Sequence, residues 1–175
     1  AHSGPIGESE KYAARVSGAH RSHTTTNGTS GSNRTIFMAS LTQNDIALSD
    51  RNCDKSIEHG LVMTGAIPVF LVPHRNRYGI IGPIYPEDLQ PASVREHGEK
   101  NPLVKGANRP KPRHTIITNS TYDGLIYNVE RVIEIAGDAI DRLHFDEAWY
   151  GYARFNPLYA GRHAMFGDPA DYQGP

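Results

Sequence analysis

The stretch Arg142-Leu143-His144-Phe145-Asp146-Glu147-Ala148-Trp149 decides how this chain is read. A largely apolar stretch from Val132 to Leu143, broken by Glu134, Asp138, Asp141 and Arg142, feeds into a short segment that ends in two adjacent carboxylates and an indole. In an α/β protein, a buried strand that delivers an acid to the carboxyl edge of a parallel sheet has this form, and ligands bind at that edge. A carboxylate buried there must be paired or hydrogen-bonded, because burying it alone is very costly. The competing reading is that Asp146 and Glu147 merely open a surface loop, the ordinary meaning of an isolated Asp-Glu pair. For Glu147, an exposed loop acid is the favoured reading over an electrostatic partner for a cationic substrate.

A second stretch, much earlier, shifts the balance toward a site. Asn27-Gly28-Thr29-Ser30-Gly31-Ser32-Asn33 follows a β-branched run, Thr24-Thr25-Thr26, and precedes a helix-like segment, Arg34 to Leu41. Such a turn offers backbone N–H groups, hydroxyls and a helix N-terminus to one anion. By itself it is a weak signal, since Gly/Ser turns are mostly just turns. No Gly-Lys-Ser/Thr follows at P-loop spacing, which also weakens a Walker-type reading of Phe145-Asp146-Glu147.

Composition narrows the classes. The 175 residues are 38% hydrophobic and 21% charged, enough to bury one core, so residues 1–175 are expected to form one domain. Eighteen Lys and Arg against 19 Asp and Glu leave a net charge of −1, with no basic stripe for nucleic acid. No apolar run approaches the roughly 20 residues of a membrane helix. Cys53 is the single cysteine, which excludes an internal disulfide and favours a reducing, cytoplasmic setting. Asn27, Asn33 and Asn119 head Asn-X-Ser/Thr triplets, read as structural because no signal peptide accompanies them. The nine histidines show no His-Glu-X-X-His run, so no metal site is expected and a metal hydrolase is a weak reading. The chain opens at Ala1 without a methionine and stops at Pro175 in a Gly/Pro-rich stretch, and both ends are expected to be cut.

The pattern along the chain predicts helices over Gly7–Val16, Ser32–Leu41, Ser56–Thr64 (Ser56 as N-cap) and Asn128–Ala136, with Gly137 as the last one's stop. Glu87–Glu99 holds at most one more. Strands are predicted at Ser22–Thr26, Ile46–Ser49, Ile67–Val72, Thr115–Thr118 and Leu143–Phe145. Tyr78–Pro86 and Lys100–Arg113 read as loops. Strands alternating with helices give an α/β fold, a mostly parallel sheet flanked by helices on both faces.

Several of these runs occur together in one known family. His2-Ser3-Gly4-Pro5, Asn27-Gly28-Thr29-Ser30, Asp50-Arg51-Asn52-Cys53, Arg75-Asn76-Arg77-Tyr78-Gly79, Thr118-Asn119-Ser120-Thr121-Tyr122-Asp123-Gly124 and His144-Phe145-Asp146-Glu147-Ala148-Trp149 stand in that order. With them the whole chain resembles the bacterial Orn/Lys/Arg decarboxylases, pyridoxal-phosphate enzymes with the aspartate-aminotransferase type of fold. The run Trp149-Tyr150-Gly151-Tyr152-Ala153-Arg154-Phe155-Asn156-Pro157 is most similar to the acid-inducible arginine enzymes.

The resemblance implies a fragment of the cofactor-binding major domain and a role for each matching residue. Asp146 would pair with the pyridinium nitrogen of pyridoxal 5'-phosphate, where an acid keeps the ring protonated. Thr29 and Ser30 would hold the phosphate. Trp149 would donate to the phenolic oxygen, the alternative being an aromatic packed beside the strand. The implied reaction is loss of carbon dioxide from arginine, giving agmatine, with a small amino-acid substrate and a homo-oligomeric parent. Two departures stand out. The family places a histidine, stacked on the cofactor, where this chain has Asp54, and an acid there is expected to weaken cofactor binding. The family's Schiff-base lysine lies in a Ser-X-His-Lys motif beyond the Asp146 strand, whereas Lys11, Lys55, Lys100, Lys105 and Lys111 all precede it. The chain is therefore expected to hold no catalytic residue and to be inactive alone. Asp54 also keeps a second reading open, a non-catalytic relative with a structural or regulatory role.

Overall fold

In the computed structural model, which describes residues 2–175, the element order is α1 (Gly4–Ser17), α2 (Gly28–Ser40), β1 (Ile46–Asp50), α3 (Lys55–Thr64), β2 (Ile67–Leu71), α4 (Pro91–Lys100), β3 (His114–Thr118), α5 (Val129–Ala136) and β4 (Leu143–Asp146). The four strands form one all-parallel sheet in the order β2-β1-β3-β4. β1 is central and buried along its whole length, as expected of a strand covered on both faces.

From β1 the chain crosses one way to β2, and from β3 the other way to β4. Right-handed crossovers in opposite directions put their helices on opposite faces. The burial follows suit. Phe37, Leu41, Ala47, Ile57, Leu61 and Ile116 form a core under α2 and α3. Leu48, Val69, Ile117, Val94, Val132 and Ile140 belong to the other core, under α4 and α5. Phe37 is fully buried between α2 and α3, and a Cβ at Gly60 would stand 2.9 Å from its ring, so that close approach needs glycine. The strand order reverses between β1 and β3, and the carboxyl side of such a point is where open α/β sheets form their crevice.

Three local expectations are corrected. Ser22–Thr26 is not a strand but an irregular connection between α1 and α2. Its threonines have the right propensity but no neighbouring strand, and the Thr24 N–H bonds instead to Glu10 Oε1 at 2.9 Å. The N-cap of α3 is Asp54, whose Oδ1 accepts from the Ser56 N–H at 2.8 Å, rather than Ser56 itself. Gly137 does not take the left-handed conformation of a helix stop. Its φ is −50°, and a 3-10 turn continues to Ala139.

Candidate functional site

Because the strands are parallel, Asp50, Thr118 and Asp146 end at one edge of the sheet. Asp146 is 4% exposed. Its Oδ2 accepts from Asn33 Nδ2 of α2 at 3.0 Å, and the same nitrogen donates to Ser56 Oγ of α3 at 3.0 Å. Its Oδ1 is buried with no partner among the described residues. Burial pushes the Asp146 carboxyl above the ordinary range against the Asn33 bond; the Asp54 carboxylate adds to the rise and the nearby Ala148 N–H, too loose to count as a formed bond, opposes it.

The face of α2 sets its direction. Asn33, Phe37 and Ser40, at helical spacing, meet in turn Asp146, the rings of His114 and His144, and His114 Nδ1. Asp146 is the carboxyl end of β4, so α2 runs against the strands. Its N-terminus, with Gly28, Thr29 and Ser30, lies at the carboxyl edge. No acid stands in that first turn and Asn27 makes no side-chain cap, so the positive end of a 13-residue helix is left without an anion. Thr29 is half-buried and Ser30 exposed. The Gly28-Thr29-Ser30 turn and the acid thus share an edge, and Asn33, one helical turn on, contacts Asp146 directly. A groove of about 470 Å³ instead runs along the turn's other side, lined by Thr24, Asn27, Gly31 and Arg34.

Asp54 lies exposed at the start of α3, and hydrogen bonds from Ser56 hold its carboxyl below the usual range. Trp149 stands on the turn after β4, 48% exposed and edge-on to Tyr150 at 6.4 Å, so it is not packed into the core. Glu147 is not an exposed loop acid. It is half-buried, and its Oε1 accepts from Asn119 Nδ2 at 2.7 Å and from the Ala164 N–H at 2.9 Å, tying the β4 end to the chain beyond it. Burial pushes it up to about 7 despite those bonds. Asn33 and Asn119 are themselves buried and hydrogen-bonded, in keeping with structural roles.

Asn33 was not among the expected site residues. The signal was there: carrying the helical period back from Phe37 places Asn33 on the sheet-facing side. Also unanticipated were His114 and His144, adjacent on β3 and β4, with Nε2 and Nδ1 3.3 Å apart. Burial lowers His114 to about 3 and His144 to about 4.

A parallel sheet whose carboxyl edge gathers a buried acid and an open helix N-terminus defines this chain as an α/β domain of the open, twisted-sheet class. It belongs to the Orn/Lys/Arg decarboxylase family: the family profile described as "Orn/Lys/Arg decarboxylase, major domain" matches residues 1–175. The chain is 57% identical over 174 residues to the biodegradative arginine decarboxylase of Escherichia coli K12, which covers 99% of this chain and 23% of that protein. To a lysine decarboxylase of Pseudomonas aeruginosa it is 45% identical, over 99% of this chain and 23% of the relative. The crystal structure of the Francisella novicida lysine decarboxylase superposes with a TM-score of 0.88 at 37% identity, over 96% of this chain and 23% of that one. The chain therefore spans less than a quarter of the length of these relatives. Among the described residues no helix is long and apolar enough to cross a membrane.

Proposed function

We propose that this chain is the part of a pyridoxal-phosphate-dependent decarboxylase that grips the cofactor's ring nitrogen and phosphate, and that the whole enzyme converts arginine to agmatine and carbon dioxide. The observation that carries this reading is the buried, unpartnered Oδ1 of Asp146. A buried carboxylate oxygen without a donor is costly, and a protonated ring nitrogen is the donor that would satisfy it. When bound, the cofactor supplies a ring that accepts the electrons left behind by the departing carboxylate. Asp146 holds the proton at the ring nitrogen, and Asn33 holds Asp146 through its other oxygen. The Thr29 and Ser30 hydroxyls and the first N–H groups of α2 take the phosphate at the uncompensated helix end. The half-exposed Trp149 indole N–H is a donor for the phenolic oxygen.

Arginine, rather than lysine or ornithine, is supported by the run Trp149 to Pro157 and by the 57% identity to an arginine enzyme. The parent would act on a free amino acid, away from membranes and nucleic acid, in the cytoplasm where a free thiol such as Cys53 survives. Exposed Tyr152, Phe155 and Leu158, close in sequence after β4, are apolar surface that a homo-oligomer would cover. The test is carbon dioxide release by the full-length protein with pyridoxal phosphate, measured on arginine, lysine and ornithine. Arginine is expected to win by at least tenfold in kcat/KM, and another order would reassign the substrate.

A second reading, a non-catalytic relative, is favoured by one observation. Asp54 puts a carboxylate committed to a helix cap where the family stacks an imidazole. Cofactor-loaded protein that releases no carbon dioxide from any of the three substrates would establish it.

A further inference from the structure

Three side chains outside the residues assigned above converge near the start of the chain. His2 precedes α1, Glu10 lies within it, and His23 belongs to the connection to α2. One donor atom from each lies within 4.8 Å of the other two. His2 Nδ1 is 2.8 Å from Glu10 Oε2 and 3.1 Å from Oε1, and the His2 and His23 rings meet edge to face at 5.2 Å. Glu10 is buried, at 6% exposure, whereas both imidazoles are open to solvent.

The backbone holds this arrangement from both sides. His2 takes a left-handed φ of 66°, and its carbonyl lies against α1 where a Cβ at Gly7 would come within 2.5 Å of the oxygen. Gly7 and Glu10 are three apart on one helix face, so glycine lets His2 lie over α1 with its ring at Glu10. From the other side the Thr24 N–H donates to Glu10 Oε1 at 2.9 Å, which fixes the carboxylate and brings the adjacent His23 to the same point.

We propose that His2, Glu10 and His23 bind a divalent transition-metal ion, best matched by Zn2+, with solvent in the fourth position. Two imidazoles and one carboxylate are a ligand set that Zn2+ takes at about 2.0–2.2 Å in tetrahedral geometry, and the imidazoles disfavour Mg2+ and Ca2+. Tetrahedral donors at those bond lengths stand roughly 3.3 Å apart, so the three atoms close on an ion by small side-chain rotations. The ion takes the place of the hydrogen bond between His2 Nδ1 and Glu10, and the neutral His2 ring then carries its one proton on Nε2. The Thr24 N–H then orients the ligating carboxylate from outside. Bound there, the ion ties the start of α1 to the segment that feeds Gly28, Thr29 and Ser30, fixing the approach to the α2 N-terminus. The spacing, seven residues and then twelve, matches no familiar ligand run, and only the fold brings the three together.

The test uses full-length protein stripped of metal by chelation, titrated with Zn2+ by calorimetry and with Co2+ as a visible-absorption probe. Wild type is expected to bind one more equivalent of Zn2+ than His23→Ala, with a tetrahedral Co2+ spectrum that the variant loses. Affinity at this site is expected to fall at least tenfold in His23→Ala and to stay unchanged in a control, His59→Ala, on the exposed face of α3. Glu10→Gln should lose the same equivalent. If burial of Glu10 makes that variant fold poorly, His23→Ala decides alone, because His23 lies in an exposed connection. Equal Zn2+ stoichiometry and affinity in wild type and His23→Ala, or no stoichiometric binding in wild type, overturns the proposal.

Discussion

β4 carries two ionisable side chains two residues apart, His144 and Asp146, on the face that α2 covers, yet the two are treated differently. His144 closes on His114, and His114 reaches Ser40 on its other side. With Phe37 packed over both rings, these imidazoles serve as neutral core. Asp146 is satisfied at one oxygen only. Same strand, same face and same covering helix leave one difference, the missing donor. Burial and a shifted titration therefore do not by themselves mark a functional group. Thr115 Oγ1, Tyr150 Oη and His163 Nδ1 are also buried without a partner, and among these four atoms only Asp146 Oδ1 belongs to a carboxylate, the group whose burial without a donor costs most.

That contrast is broken most severely by Asp146→Asn. In the full-length enzyme, turnover is expected to fall about 10²–10³-fold, the scale of losing one preorganised electrostatic partner of a developing charge. Thermal stability should hold or rise, since a buried charge is removed. Near-normal turnover would return Asp146 to the class of His144. Next in size, Asn33→Ala strips the donor from both Ser56 Oγ and Asp146 Oδ2 and should cost about 1–3 kcal/mol in urea unfolding. A loss below the resolution of the titration would show that the bridge does not hold the acid.

The histidine side of the contrast shows in acid. Folded, His114 and His144 protonate only near 3 and 4, whereas unfolded histidines take protons near 6.5. Their contribution is therefore intact above about pH 6.5 and is lost as pH falls toward those values. Each histidine costs up to about 1.4 kcal/mol per pH unit across that window. His144→Phe should flatten the fall by roughly one such slope, read from urea midpoints between pH 6.5 and 4.5. Glu147, raised to about 7, acts in the opposite sense between about 4.5 and 7, and the difference between variant and wild type removes its contribution. An unchanged slope would mean that the pair is already charged in the fold. The smallest effect belongs to Asp54→His, which gives up the α3 cap for about 1 kcal/mol. The same variant should tighten cofactor binding. Equal or weaker binding would place that side chain away from the ring.

Much of this was legible in the sequence. The run Leu143-His144-Phe145 before Asp146 was read as a strand over a competing loop reading, and β4 ends at that acid, while Ile46, Ile67 and Thr115 open plainer runs. The Gly28-Thr29-Ser30 run was legible as a turn leading into a helix, but the helix was expected from Ser32 and in fact begins at Gly28, because two glycines and two serines carry little helix propensity. What escaped depended on neighbours far along the chain. Thr24, Thr25 and Thr26 favour a strand, but no strand lies beside them to pair with. Asn33 looks like one more polar residue of a turn until α2 lays it against Asp146, 113 residues away. Glu147 looked exposed because Asn119 and Ala164, which cover it, belong to other segments.

The most direct measurement compares the affinity of the full-length protein for pyridoxal phosphate in wild type, Asp146→Asn and His144→Phe. If the free oxygen of Asp146 is the one that meets the cofactor, Asp146→Asn weakens binding at least tenfold. His144→Phe changes acid stability and leaves binding within about twofold. Equal affinity in wild type and Asp146→Asn, or a loss as large in His144→Phe, would contradict the assignment of the carboxyl edge as the cofactor site.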